Sequence, residues 1–394
     1  MLKTISVRDL RLGMHIERMC GNWIDHPFWR SSFKLDDAAD LKALQSCGLS
    51  EVVIDTARGL DVAQAPAAES APAAPPAQSP VAVETRVSLE KELDRARQVQ
   101  AKAKRQVTAL FNEARMGKAL DVSTVVPLVD DINASIERNA SALLSLVRLK
   151  TADDYTYMHS VAVCALMISL GRRLGLDRDL LHQAGMAGLL HDIGKMGVPP
   201  AVLNKPDKLS DEEFAVVRRH PQQGWDILRA AGVEGEIALD VCLHHHERMD
   251  GRGYPDKLSG EQISLYARMG AVCDVYDAIS STRCYKSAWS PGESIKRMAG
   301  WRQGHFDERI FQAFLKTVGI YPVGTLVRLK SGRLGVVLEQ SEDNLLEPRV
   351  RVFFSTKSDG PIPMEVVDLR RSQDAIEGLE DAAKWGFDLS RLTG

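Results

Sequence analysis

The sequence contains no CxxC pair: its six cysteines, Cys20, Cys47, Cys164, Cys242, Cys273 and Cys284, stand apart from one another. Their spacing excludes a zinc ribbon or a disulfide framework and fits a reducing compartment. No run approaches the ~18 apolar residues of a membrane span, and the opening MLKTISVRDLRLGM lacks the apolar core of a signal peptide. A cytoplasmic protein without integral membrane association is therefore expected. Charge of one sign is also scarce. Fifty Lys and Arg against 53 Asp and Glu leave a net −3, which gives no electrostatic reason to expect a nucleic-acid partner. What remains is an ordinary globular composition, 44% hydrophobic and 26% charged over 394 residues, enough for two or three domains with buried cores.

The chain divides by composition and period into a multidomain, mainly α-helical protein. Residues 1–62 read as a small α+β domain. Ile5 and Val7 alternate with polar residues, EVVID at Glu51–Asp55 is a second strand, and DDAADLKALQSCG is a helix closed by Gly48. Trp23, Phe28, Trp29 and Phe33, beside His26, read as its core rather than as a docking surface. Residues 63–86 are Ala- and Pro-rich, without periodicity, and form a solvated linker. Residues 87–149 carry two helices, about 88–116 and 123–149, as a hairpin on the core or as a dimerising or signal-transmitting stalk. No sustained heptad is evident, which favours packing. Ser88 is the N-cap of the first, and with Lys91 three residues on it caps alone. Residues 150–318 are helical through most of their length. Residues 319–372 form a small β module, with a hairpin turning at Ser331-Gly332 and strands at Arg349–Phe354 and around Val366. Residues 373–394 are a C-terminal helix or tail.

Chemistry concentrates in the helical region. LLHDIGKMGVP, Leu189–Pro199, lies at the end of a helix expected over about 178–194. His191, Asp192 and Lys195 fall on one sector of such a helix. His159, Val163, Leu166 and Leu170 follow helical spacing and put a histidine on an apolar, inward face. Ser210 and Glu213 form a capping box for a helix that stops at His220-Pro221. In the run His244–His246 successive side chains point ~100° apart on a helix, so at most two adjacent ones share a pocket. Asp274 and Asp277 stand one turn apart on a further helix. Hydrolysing a phosphodiester requires a nucleophile usable at neutral pH and neutralisation of transition-state charge, which two metals ~3.5–4 Å apart provide. The candidate donors are His159, His191, Asp192, His220, His245, His246 and Asp274. Asp192, next to a histidine donor, is the natural bridge. Histidines and carboxylates without thiolate suit Fe, Mn, Zn or Ni better than Mg or Ca.

HDIGK, HPQQG, HHERMDGRGYP and CDVYDAISSTRCYK, in this order over about 155–290, resemble the HD-GYP family of metal-dependent phosphodiesterases, an HD-superfamily fold. The segment GMHIERMCGNWIDHPFW resembles a domain often found ahead of it. The resemblance implies a central all-helical metallophosphohydrolase domain that hydrolyses the bacterial second messenger cyclic di-GMP through a metal-bridging hydroxide. It implies metal ligands at His159, His191, Asp192, His220, His245, His246 and Asp274, leaving His244 outside. It assigns catalytic roles to Asp192, to Lys195 near the scissile phosphate, and to Asp277 as the group holding that lysine. Gly253, Tyr254 and Pro255 would shape the substrate pocket and dock GGDEF-domain proteins, while Arg283 and Lys286 would contact phosphate or guanine. A homodimer is a further expected partner state. Some family members hold a third metal through a Glu where this chain has Tyr155, so two divalent ions are expected, Fe or Mn first and Zn or Ni as alternatives. The linear product pGpG is then expected before any onward cleavage to GMP. Arg252 before GYP and Cys284 after Arg283 depart from the family pattern and bear on substrate preference. The alternatives are a non-catalytic receptor or docking module for cyclic di-GMP signalling, and hydrolysis of another cyclic dinucleotide. The first domain is expected to regulate access to the pocket across the linker.

Overall fold

The computed structural model describes residues 2–20, 33–36, 41–42, 44–45, 51–61, 87–147, 155–205, 207–281, 288–341, 344–389 and 392. Trp23, His26, Phe28, Trp29, Gly48, the linker 63–86, Arg283, Cys284 and Lys286 lie outside the described residues, as do the side chains of Phe33 and Tyr155. The chain forms two compact units, one from residues 1–86 with 342–344 and one from 87–341 with 345–394. Among the described residues no helix is long and apolar enough to cross a membrane.

The first unit is a small antiparallel sheet of β1 (Leu2–Ser6), β2 (His15–Cys20), β3 (Phe33–Lys34) and β4 (Glu51–Asp55), ordered β1-β4-β2-β3. Ile5, Met14, Ile16, Val52 and Ile54 bury one apolar cluster with Leu10, Leu35 and Leu44. The expected alternation stops one residue early. Ser6 accepts the Arg8 N–H and turns Val7 into a 3-10 turn, still buried.

In the second unit, α1 (Leu89–Arg115) and α2 (Val126–Val147) pack into the same apolar cluster as the helices that follow. Leu93, Ala96, Ala103, Val107 and Leu110 of α1 are all buried. Their three-and-four spacing, with Gln100 between, is a heptad-type seam that the sequence reading did not pick out. Ser88 makes no side-chain capping bond. The helix start is held from the side instead, by Val87 N–H on the Arg138 carbonyl (3.4 Å) and Asn139 Nδ2 on the Val87 carbonyl (3.2 Å). Asn139 itself interrupts α2 with extended backbone, φ −163° and ψ 100°. One turn into α1, the fully buried Glu92 accepts hydrogen bonds from Ser135 Oγ (2.9 Å) and from Arg138 Nε and Nη2 (both 2.8 Å).

The central helices are α3 (Tyr155–Arg173), α4 (Arg178–Leu190), α5 (Pro200–Leu203), α6 (Asp211–Val217), α7 (His220–Ala230), α8 (Glu236–His244), α9 (Leu265–Ser280), α10 (Pro291–His305) and α11 (Glu308–Val318). The capping box at Ser210 and Glu213 is present. α4 stops at Leu190 instead of running to about 194, and Ile193–Gly197 form a 3-10 turn. Gly194 explains the tighter turn. A Cβ there would meet the His220 carbonyl oxygen at 2.0 Å and the Gly224 nitrogen at 2.4 Å, so only glycine lets this segment lie against α7.

The C-terminal part is a five-stranded antiparallel sheet of β5 (Leu326–Leu329), β6 (Arg333–Glu339), β7 (Arg349–Ser355), β8 (Gly360–Asp368) and β9 (Ile376–Leu379), ordered β8-β7-β6-β5-β9. The expected terminal helix is corrected here. Ile376–Leu379 pair with the open edge of β5, and only α12 (Ala382–Trp385) is helical before Gly386 ends it in the left-handed region. Ile376 and Leu379 gain burial against the sheet core, and the β5 backbone gains ladder partners.

Candidate metal centre

The sequence put forward seven donors, and the structure brings all seven into two overlapping groups. His159, His191, Asp192 and Asp274 form one and Asp192, His220, His245 and His246 the other, with the ligand atoms of each group within 4.8 Å of one another. Asp192 belongs to both. Its Oδ2 lies 3.4 Å from the Nε2 atoms of His159 and His191, and its Oδ1 lies 3.2 Å from His220 Nε2 and 3.7 Å from His245 Nε2. Asp274 Oδ1 lies 2.9 Å from His159 Nε2, and its Oδ2 lies 3.8 Å from His246 Nδ1.

Each position follows from local structure. His159 sits on the inward stripe of α3, while His191 caps the end of α4 and sends Asp192 into the 3-10 turn. His220 opens α7 with Pro221 in its first turn. α8 ends at His244, which frees His245 and His246 to turn inward. His244 instead bonds Asp240 Oδ1 (2.7 Å) and Asp256 Oδ2 (3.0 Å), away from the cluster.

The hydrogen-bond pattern around the rings defines what the cluster accepts. Nδ1 of His191 meets the Gly188 carbonyl at 2.8 Å, that of His220 the Val217 carbonyl at 2.8 Å, and that of His245 the Val241 carbonyl at 2.9 Å. A carbonyl only accepts, so each Nδ1 carries a proton and each ring turns its Nε2 inward, where it offers a lone pair whenever that nitrogen is not itself protonated. His220 and His245 thus bring two lone pairs to 3.4 Å. Both confront Asp192 Oδ1, which is buried without a hydrogen-bond donor, as is His191 Nε2. Lone pairs converging in a dry site repel unless a cation lies among them, so this donor set fits divalent metal. Protonation follows the same field. Burial disfavours a charged His191, but Asp192 and Asp274 outweigh it and push the ring up to about 10. Burial, with His191 and His220 nearby, holds His245 down to about 3. Burial raises the Asp192 carboxyl, yet Lys195 and His191 bring it well below the usual range.

Lys195 follows Asp192 by three residues on the 3-10 turn, not along a helix face, and its Nζ donates to Asp192 Oδ2 at 2.5 Å. Among the described residues no hydrogen bond joins Asp277 to that lysine. The Asp277 Oδ2 lies 2.6 Å from His159 Nδ1, behind the ring, so it orients a donor. Gly253 is buried so tightly that a Cβ would meet the Glu247 Cα at 2.5 Å. Glu247, which the sequence reading left without a role, accepts the Asp256 N–H at 2.7 Å and ties down the loop after Pro255. Tyr254 stacks on His246 with ring centroids 4.7 Å apart and 26° between planes. Arg283 and Lys286 lie outside the described residues, so their expected contacts have no counterpart here. A cleft of about 1180 Å³ opens over the cluster, lined by Lys195, Lys205, Lys208, Arg218, Arg248 and Arg252 besides the donors Asp192, His220, His245, His246 and Asp274. That volume exceeds the ~300–1,000 Å³ of ordinary small-molecule pockets. Of these six cations Lys195, Lys205 and Arg248 are paired with Asp192, Glu213 and Asp250, and Asp207, Asp211 and Glu247 also line the cleft, which leaves Lys208, Arg218 and Arg252 to meet an anion.

Comparison with known proteins divides the chain after α1, beyond the boundary between the two units. Residues 2–125 match a family model described as a domain of unknown function, DUF3391, and residues 128–310 match the HD domain. Over 390 residues the chain is 56% identical to a cyclic di-GMP phosphodiesterase of Pseudomonas aeruginosa, covering 98% of this chain and 94% of that one. It is 36% identical over 191 residues to the cyclic di-GMP phosphodiesterase response regulator RpfG of Xanthomonas campestris pv. campestris, covering 48% of this chain and 50% of that one. A 3'3'-cGAMP-specific phosphodiesterase of Vibrio cholerae is 28% identical over 193 residues, covering 48% of this chain and 36% of the relative.

Proposed function

The chain belongs to the HD-GYP family of cyclic di-GMP phosphodiesterases, and from that premise we propose that it hydrolyses cyclic di-GMP to linear pGpG with two divalent metals. The observation that carries this is the pair of four-donor groups sharing the Asp192 carboxylate. His159, His191, Asp192 and Asp274 would hold one ion, and Asp192, His220, His245 and His246 the other. Bound there, the ions supply an acidified water and neutralise charge on the attacked phosphate. Fe or Mn suits this nitrogen-rich set, with Zn or Ni as alternatives.

The chain's own groups do the rest. Lys195 keeps its ammonium on Asp192 at the floor of the cleft, where it faces an incoming phosphate and can give a proton to the departing ribose oxygen. Arg218 and Arg252, with Lys208, line the walls and draw in a dianionic ligand. Asp277 keeps His159 in its ligating orientation. Arg252, Asp256 and Lys257 are exposed beside Tyr254-Pro255, with Ser259 further along the loop, and would be accessible to a GGDEF-domain protein.

The test is anaerobic turnover of cyclic di-GMP by Fe- or Mn-loaded protein, with products separated by chromatography and 3'3'-cGAMP run in parallel. pGpG accumulating, and vanishing in Asp192→Ala, is the expected result. Rapid release of GMP overturns the product assignment, and preference for 3'3'-cGAMP overturns the substrate. Metal-loaded protein that binds cyclic di-GMP without cleaving it makes the chain a receptor.

A further inference from the structure

Five histidines surround the cluster, and four are fixed by a hydrogen bond at Nδ1: His159 by Asp277, and His191, His220 and His245 by backbone carbonyls. Among the described residues no hydrogen bond fixes His246. Its ring is held by packing instead. One neighbour is His245, with centroids 4.1 Å apart and 44° between planes, and another is His220, edge-on at 5.0 Å. The most nearly parallel contact is Tyr254, at 4.7 Å and 26°. Tyr254 is in turn covered by the Arg218 guanidinium, 4.6 Å from the ring centroid. The Tyr254 N–H donates to the His246 carbonyl at 3.3 Å, so ring and backbone of the same two residues meet. The close fit of Gly253 against Glu247 brings the tyrosine to this position.

We infer that Arg218 and Tyr254 are positioning residues for His246: a guanidinium–phenol–imidazole stack does for this donor what a carbonyl or carboxylate does for the other four. A ring restrained only by packing rotates freely about its Cβ–Cγ bond once the packing is removed. The guanidinium over the tyrosine ring adds attraction to it and holds it in place. The stack also joins three separate segments. Arg218 lies two residues before His220, His246 lies just past the end of α8, and Tyr254, from the loop that follows, contacts both. The consequence falls chiefly on one group, because among the described residues His246 groups with Asp192, His220 and His245. The tyrosine acts through its ring, since no hydrogen bond of its hydroxyl appears among the described residues.

This inference rests on the two-group reading of the metal centre, and its test separates the two. Metal-free wild type, Tyr254→Leu, Tyr254→Phe, Arg218→Met and Arg218→Lys are titrated with Mn²⁺ against a chelator. Bound metal is counted by mass spectrometry, and thermal melts of the metal-free forms check the fold. Wild type is expected to take up two ions. Tyr254→Leu should weaken one of them at least tenfold, in the range seen when groups orienting a ligand are lost, and leave the other unchanged. Arg218→Met should weaken the same ion severalfold, while Tyr254→Phe and Arg218→Lys bind as wild type. Two ions of unaltered affinity in Tyr254→Leu and Arg218→Met would overturn the inference, as would a phenylalanine variant as weak as the leucine one. Wild type binding no metal would instead overturn the reading of the centre.

Discussion

Replacing Asp277 by Asn tests the division of labour behind the metal cluster. The carboxylate lies 2.6 Å from His159 Nδ1, both groups are buried, and Lys195 has its own partner in Asp192. A hydrogen bond to a charged acceptor contributes about 1.5–3 kcal/mol and a neutral one about 0.5–1.5. The loss is therefore about 1–1.5 kcal/mol, or roughly tenfold in affinity. An amide that turns its NH₂ toward the ring would cost more, because the imidazole would then carry its proton on Nε2 and could not ligate. Metal titration of Asp277→Asn should show one ion bound about tenfold more weakly. That ion is the one held by His159, His191, Asp192 and Asp274. Turnover should recover as metal is raised, with KM for cyclic di-GMP little changed. Unaltered metal affinities combined with a raised KM would refute this reasoning and restore Asp277 to the role of holding the lysine.

Gly194→Ala should destabilise the fold by about 3 kcal/mol, the upper range for overpacking, since the new Cβ meets backbone atoms. Urea denaturation reads this, and a midpoint equal to wild type would sink the close-approach argument. Lys195→Met should keep both metals while kcat falls ~10²-fold or more, as for loss of a proton donor; a kcat within threefold of wild type would remove the lysine from the chemistry. Glu92→Gln should cost about 3 kcal/mol at neutral pH by leaving Arg138 without its buried carboxylate. Burial raises the Glu92 pKa, but Arg138 and Ser135 lower it more, so the folded value lies below the unfolded one. Its contribution is thus full above the ordinary carboxylate range and is lost as pH falls through the depressed value. The gap between Glu92→Gln and wild type should therefore shrink on acidification, and a gap that does not change with pH would contradict the ion pair.

The sequence by itself determined what is local. The inward stripe carrying His159 and the capping box at Ser210 are relations between residues at most eleven positions apart, set by helix period and backbone sterics, whereas the Ser210 helix expected to stop at His220-Pro221 ends at Val217 and His220 opens the next one. Motif order carried the family, because four separated blocks agree. The mainly helical architecture with a small sheet toward each end of the sequence was legible for the same reasons.

Tertiary structure decided everything that depends on which surfaces meet. Asp277 and His159 are 118 residues apart, and no local pattern says that this carboxylate turns to the ring instead of to Lys195. The end of α4 at Leu190 is imposed by α7, against which Gly194 must lie. The strand Ile376–Leu379 exists because β5 offers an open edge, although the segment's own composition reads as helix. The Tyr254 stack is of the same kind: the tyrosine is visible as a motif letter, but which ring it faces depends on how the loop after α8 folds back over His246. Helical period and capping are written within a few residues, whereas pairing across the core is fixed only when the whole chain excludes water and leaves each buried polar group one available partner.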